Sequence, residues 1–315
     1  MSWRILVSAP YMQPVIGEFS ELFSDNDVEI VLPVVQERLG EEELLRYVGD
    51  VDGVICGDDL FSERVLKESS RLRVISKWGT GVDSIDKQAA EKLGIKVYNT
   101  PDAFSKPVAD TVMSYILCFA RNPILLNSNM RQRRWQKVNG ISLEECTLGV
   151  IGVGNVGKQV LRRAVAFGMT ILGNDVADID DRFIAETGLQ MVSKDAIFRD
   201  ADFISINCDL NPSSFHLVSH SEFSSMKENA TLINTARGPI VDEAALVQAL
   251  KDKTIAGAAL DVFETEPLPP DSPLFDYENV LLSPHNANSS PRAWEYVHEN
   301  TIRNLFKGLG IENHF

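Results

Sequence analysis

The sequence predicts an α/β protein made of two doubly wound domains, each a parallel sheet covered by helices. Three observations carry that expectation. Short apolar runs, mostly β-branched or small, recur from end to end between Gly, Asp, Asn or Pro. Helical stretches lie between many of them, the alternation that covered parallel sheets require. At 315 residues the chain also exceeds the usual size of one domain.

Taken in order, strands are predicted at 5–7, 51–56, 74–77, 148–153, 170–174, 203–207, 231–234, 256–262 and 280–283. The opening segment is too short in apolar length for a signal peptide and reads as the first strand. Glu41, Glu42 and Glu43 read as the solvated first turn of a helix, where negative charge suits the dipole. Residues 99–107, with Pro101 and Pro107, read as a crossover loop before a helix at 108–121. A second break at 283–291 precedes a final helix at 292–307, whose apolar stripe is Trp294, Val297, Thr301, Ile302 and Leu305. If that helix returns to the first domain, residues 1–106 and 290–315 form one domain. Residues 107–289 form a second, inserted one.

Composition narrows the partners. Hydrophobic residues make up 44% and charged residues 24%, enough for a core that holds a buried site. The formal net charge of -15 disfavours nucleic acid and anionic membrane surfaces, which need a basic face. It leaves room for a small anionic substrate met by one buried arginine. The longest apolar run, 112–120, is far short of a membrane span. Cys56, Cys118, Cys146 and Cys208 show neither C-x-x-C nor zinc-like spacing and read as reduced thiols of a cytoplasmic protein. No metal site is expected, and His216, His220, His298 and His314 read as surface or helix residues.

The strongest motif is G-x-G-x-x-G at Gly152, Gly154 and Gly157. It follows an apolar strand and opens a helix with Val156, Val160, Ala164 and Phe167 on one side and Gly168 as the stop. The next strand ends at Asp175, 18 positions past Gly157, close to the roughly 20 of a dinucleotide fold. Gly152 allows the tight turn, Gly154 lets the backbone approach a pyrophosphate, and Gly157 lets helix and strand pack closely. The N–H groups of Asn155 and Val156 face the phosphates at the positive helix end. Asp175 accepts from ribose hydroxyls and repels a 2′-phosphate, so NAD is favoured over NADP. The segment is thus a Rossmann NAD-binding domain. The structural alternative is a tight strand–helix turn without ligand.

Three later segments each end a predicted strand: 234–239 with Arg237, 261–267 with Asp261, Glu264 and Glu266, and 283–286 with His285. Strand ends are where open parallel sheets bind ligands. These segments, with Gly79-Thr80-Gly81-Val82-Asp83, Val108-Ala109-Asp110, the glycine loop, Asp261-Val262-Phe263 and Pro284-His285, resemble the D-isomer-specific 2-hydroxyacid dehydrogenases. The likeness is to their phosphoglycerate-dehydrogenase-like branch. The resemblance implies an NAD-dependent oxidoreductase acting on a small D-2-hydroxy acid of the 3-phosphoglycerate, hydroxypyruvate or glyoxylate class. The inserted Rossmann domain would be carried by a flavodoxin-like substrate domain. His285 is then the general acid and base, Glu266 orients its imidazole, and Arg237 grips the substrate carboxylate. Glu264 is a rival to Glu266, and family position favours Glu266. Gly79, Thr80 and Gly81 resemble the carboxylate loop of the first domain. Asp261 resembles the residue that meets the nicotinamide carboxamide, and Asn207, Thr235, Ala236 and Asn288 are further candidates for cofactor contact.

The match departs from the family in three places. Asn207-Cys208-Asp209 stands where a histidine-leucine-proline run is common, and Asn286-Ala287-Asn288 stands where residues are usually apolar or small. Gly57-Asp58-Asp59 stands where phosphoglycerate enzymes often carry an arginine, and its acids would repel a phosphate; Lys77 and Lys106 are the cations that could compensate. An NAD(H)-responsive, corepressor-like binding protein on the same fold is the alternative function. A homodimer formed by the nucleotide domain is implied, with the 108–121 helix as a candidate interface. No regulatory domain is expected after Phe315.

Overall fold

In a computed structural model, residues 2–312 are described; His314 lies outside them. The strands are β1 (Trp3–Val7), β2 (Val28–Val31), β3 (Gly53–Cys56), β4 (Val74–Lys77), β5 (Lys96–Tyr98), β6 (Thr147–Ile151), β7 (Thr170–Asn174), β8 (Gln190–Met191), β9 (Phe203–Ile206), β10 (Thr231–Asn234), β11 (Gly257–Leu260) and β12 (Val280–Leu282). The α-helices up to the start of β6 are α1 (Ser20–Asp25), α2 (Glu41–Leu44), α3 (Glu63–Glu68), α4 (Lys87–Lys92), α5 (Ser105–Arg121) and α6 (Pro123–Arg131). After it come α7 (Asn155–Ala166), α8 (Asp181–Thr187), α9 (Lys194–Asp200), α10 (His220–Ser225), α11 (Glu243–Lys251) and α12 (Pro291–Leu309). The chain divides into two compact units, 1–104 with 290–315, and 105–289.

Unit 1 carries a parallel sheet in the order β2-β1-β3-β4-β5, the flavodoxin-like winding. Its central strands β3 and β4 are buried along their whole length, as a sheet covered on both faces demands. One cover is the cluster of Leu6, Val54, Phe61, Leu66 and Ile75. The other includes α12, which approaches so closely that a Cβ on Gly308 would meet Val74 Cβ at 2.5 Å. Ser76 Oγ donates to the Thr301 carbonyl at 2.7 Å. Val297, Thr301, Ile302 and Leu305 of the expected stripe are buried, while Trp294 is only half-buried. Caps fix the short helices: Ser62 Oγ accepts from Val65 N–H and Asp86 Oδ1 from Ala89 N–H.

Unit 2 carries seven parallel strands in the order β12-β11-β10-β9-β6-β7-β8. β6 pairs with β7 on one side and β9 on the other, so the winding reverses there. Two apolar clusters cover the faces, one around Ile197, Ile206, Leu232 and Leu246, the other around Ile116, Leu148, Leu161 and Ile233. Each fully buried side chain of this size contributes roughly 1.5–3 kcal/mol. The helix expected from residue 108 starts at Ser105, and Phe167, expected on the buried side of α7, is exposed at its C-terminal end. Among the described residues no helix is long and apolar enough to cross a membrane.

Candidate active site

The glycine loop occupies the point where the winding of unit 2 reverses. Gly152 has φ +94°, and a Cβ there would lie 2.6 Å from Asn207 C and Cys208 N. A Cβ on Gly157 would lie 2.1 Å from the Gly152 carbonyl oxygen, so only glycine lets α7 begin this close to the turn. Gly154 caps α7, and nothing lies within 4 Å of where its Cβ would stand. The first amides of α7, at Asn155 and Val156, have no partner within the helix. Asp175 follows β7 and accepts from Val153 N–H at 2.6 Å and Ala177 N–H at 2.8 Å. The carboxylate thus holds the loop's entry and still has lone pairs to spare.

These residues fit a dinucleotide on two further observations. Asn207 Oδ1 at the end of β9 and Thr235 Oγ1 at the end of β10 are buried without a hydrogen-bond partner. Such atoms are rare unless a ligand or water satisfies them. Asn207 Nδ2 is held by Ser205, which fixes the amide's orientation.

β10, β11 and β12 deliver the ionisable groups to the same edge. His285 Nδ1 lies 2.9 Å from Glu266 Oε2. The other Glu266 oxygen accepts from Phe263 N–H at 2.9 Å, so the carboxylate is locked on its own loop. Glu264 points elsewhere: its Oε1 lies 2.8 Å from His216 Nε2 and accepts from Glu243 N–H. The two acids that sequence left as rivals are therefore divided, and Glu266 takes His285. His216, Asp242 and Glu264 form a separate group whose donor atoms lie within 4.8 Å of one another. Asp242 is itself engaged as the α11 cap and by Ser219 Oγ.

His285 sits at φ +50°, a conformation that histidine tolerates better than most residues. Its turn hangs from Asp261, which is almost fully buried and accepts from Asn286 N–H at 2.9 Å and Ala287 N–H at 2.8 Å. Burial pushes the Asp261 carboxyl above its ordinary range, against the Ser283 hydroxyl and the two amides, which favour its anion. Tyr115 of α5 also bonds Ser283, and burial pushes its hydroxyl up to about 12. Sequence reading missed Tyr115 and Ser283; a tyrosine on an amphipathic helix gives no signal of a partner 168 positions away.

Arg237 follows β10. Its guanidinium donates to the Ala236 carbonyl at 2.8 Å, and its own carbonyl accepts from Asn234 Nδ2. Asn234 Oδ1 in turn accepts from Ala236 N–H at 3.1 Å. Next to it, a Cβ on Gly238 would lie 1.9 Å from Phe263 C and O. This contact joins the Arg237 turn to the loop that holds Glu266. Asn288 is half-buried on the segment after His285.

In unit 1, Gly79 follows β4 at φ +120°. Its carbonyl accepts from Thr100 N–H, and Thr80 Oγ1 donates to the Thr100 carbonyl. Gly81 is half-buried and Thr80 exposed. His298, expected at the surface or in a helix, is in α12 but buried, with Nδ1 accepting from Trp78 Nε1–H at 3.0 Å.

Residues 113–287 match the model of the D-isomer specific 2-hydroxyacid dehydrogenase, NAD binding domain. The chain is 38% identical to a D-3-phosphoglycerate dehydrogenase of Methanocaldococcus jannaschii, over 98% of this chain and 59% of that protein. It is also 38% identical to a glyoxylate reductase of Thermofilum pendens, over 85% of this chain and 81% of that protein. A hydroxypyruvate reductase of Thermotoga maritima is 34% identical over 89% and 92%. Among solved structures, D-lactate dehydrogenase from Aquifex aeolicus, complexed with NAD and lactic acid, superposes with a TM-score of 0.87 at 26% identity, over 98% of this chain and 95% of that one. With the glycine loop at the switch point and this match over its length, the chain belongs to the D-isomer-specific 2-hydroxyacid dehydrogenase family, and NAD is its cofactor.

Proposed function

We propose that the protein interconverts a small D-2-hydroxy acid and its 2-keto acid, as a cytoplasmic homodimer. The substrate belongs to the class that its relatives' names span: 3-phosphoglycerate, hydroxypyruvate or glyoxylate. The observation that carries this reading is the His285–Glu266 pair, 2.9 Å apart at the strand edge that also bears Arg237 and the glycine loop.

Bound NAD(H) supplies or accepts the hydride at C2. The chain's residues do the rest. Gly152, Gly154 and Gly157 admit the pyrophosphate to the amides of Asn155 and Val156, and Asp175 takes the ribose hydroxyls. Asn207 Oδ1 and Thr235 Oγ1 gain the partners they lack, beside Ala236 and Asn288. Asp261 spends lone pairs on the His285 turn and offers a remaining one to the carboxamide. Arg237 grips the substrate carboxylate and polarises the C2 carbonyl. In unit 1, the Gly79-Thr80-Gly81 backbone offers N–H donors of the kind that bind a substrate carboxylate. His285 Nε2 hands its proton to the oxygen at C2 in reduction and takes it back in oxidation, while Glu266 steadies the imidazolium at Nδ1.

The test is a panel of 2-keto acids followed at the NADH absorbance. Consumption of NADH with at least one small 2-keto acid, giving the D product, is expected. NADH binding without turnover on the whole panel would sink the reading and favour a binding module.

A further inference from the structure

From the charges at the strand ends of unit 1 we infer that the substrate is a 2-keto acid whose C3 substituent carries no phosphate. This deepens the function proposed above and rests on it. The carboxylate loop follows β4 directly, so groups beside it meet the rest of a small substrate. The cation that the strands themselves carry to this edge is Lys77, the last residue of β4, which is buried. Its Nζ lies 3.8 Å from where a Cβ on Gly79 would stand.

That ammonium is already committed. It lies 3.1 Å from Asp58 Oδ1 and donates to the Trp78 carbonyl at 3.2 Å. A second acid, Asp59, also feels its charge. Asp59 is buried and accepts from Leu39 N–H at 2.6 Å, Ser8 Oγ–H at 2.5 Å and Gly57 N–H at 3.2 Å. The lysine at the end of β4 is therefore already paired with Asp58, with the buried Asp59 on the same β3–α3 loop. The residue after Lys77 belongs to an aromatic cluster. Trp78 stacks on Tyr11 with centroids 5.0 Å apart and meets Phe104 at 5.5 Å and Trp294 at 5.8 Å. A phosphate dianion recognised here would need charge-assisted donors. Next to Gly79 it would find a lysine already paired with an acid, and apolar rings that donate no charge-assisted bond.

The experiment compares hydroxypyruvate with 3-phosphohydroxypyruvate, which differ only by the phosphate, in the full-length protein with NADH. Wild type is expected to favour hydroxypyruvate in kcat/KM by about 100-fold or more, the scale of like-charge opposition at a binding site. Asp58→Asn, which removes the acid paired with Lys77, should raise the use of the phosphorylated acid and narrow the ratio by about tenfold. Adding Lys77→Met should remove that gain. A wild-type preference for 3-phosphohydroxypyruvate overturns the inference while leaving the dehydrogenase reading intact. Loss of that preference in Arg38→Ala or Lys106→Ala would then assign the phosphate to one of those exposed side chains. An unchanged ratio in a folded Asp58→Asn protein also overturns it. No turnover of any 2-keto acid fails the reading beneath, and the inference with it.

Discussion

Two acids two residues apart on one loop contact two different histidines, Glu264 with His216 and Glu266 with His285. Both lie on the loop after β11, Glu264 exposed and Glu266 half-buried. Only Glu266 is anchored by Phe263 N–H in reach of His285. Glu266→Gln should lower kcat by about 10²-fold or more, the lower range of what positioned proton transfer supplies. Glu264→Gln should change it by less than about twofold. Steady-state kinetics of the two purified variants checks this, and equal losses would remove the division. His285→Ala should cost about 10²–10⁴-fold in kcat, with NADH fluorescence titration unchanged; wild-type turnover would remove the proposed acid. The sequence carried the residue types and their order but not this division, because neighbours on a turn point in directions that only the backbone fixes. His298 was equally opaque. Its helix was legible, but its burial depends on Trp78, 220 positions away. Burial lowers the His298 pKa, so the unfolded chain binds more protons here and stability rises with pH through this window. Melting temperature should therefore fall as pH drops below the ordinary histidine value of about 6.5. His298→Gln should flatten that part of the profile, and an unaltered profile would remove His298 as its source.

Strands show the same contrast between local and non-local signals. The nine strands expected from sequence all formed, with ends shifted by a few residues. The three that were missed are β2, β5 and β8, each at a sheet edge. An edge strand is short and half-solvated, so it lacks the apolar run that marks a buried parallel strand. The glycine loop was legible because its glycines are demanded by backbone contacts within a single strand–turn–helix. Gly238 gave no such signal, since the atoms it must avoid belong to Phe263. Gly238→Ala should push the two loops apart and lower both kcat and melting temperature; wild-type values for both would show that the contact relaxes freely. Asp175→Ala should narrow the preference for NAD over NADP, read as the ratio of kcat/KM for the two cofactors. An unshifted ratio would leave Asp175 only its bonds to Val153 and Ala177.

For the molecule as a whole, we place the interface of the proposed homodimer after α5. The apolar side of α5 is spent inside unit 2 on Val112, Ile116 and their neighbours. The next segment leaves Ile124, Leu125, Met130 and Trp135 exposed, Trp135 to 84%. Apolar surface of this kind marks association. Trp135→Glu combined with Met130→Glu should shift the protein toward monomer in sedimentation velocity; an unshifted dimer would place the interface elsewhere. The division of the chain into its two units has a consequence for synthesis. Unit 2 lies wholly between residues 105 and 289, whereas unit 1 takes its covering helix from residues 291–309. On the ribosome the sheet of unit 1 must wait, one face bare, until residues 291–309 have emerged, while the middle of the chain can already close around its own core. Cells making this protein should hold an early nascent intermediate that is protease-sensitive before residue 105 and protected after it.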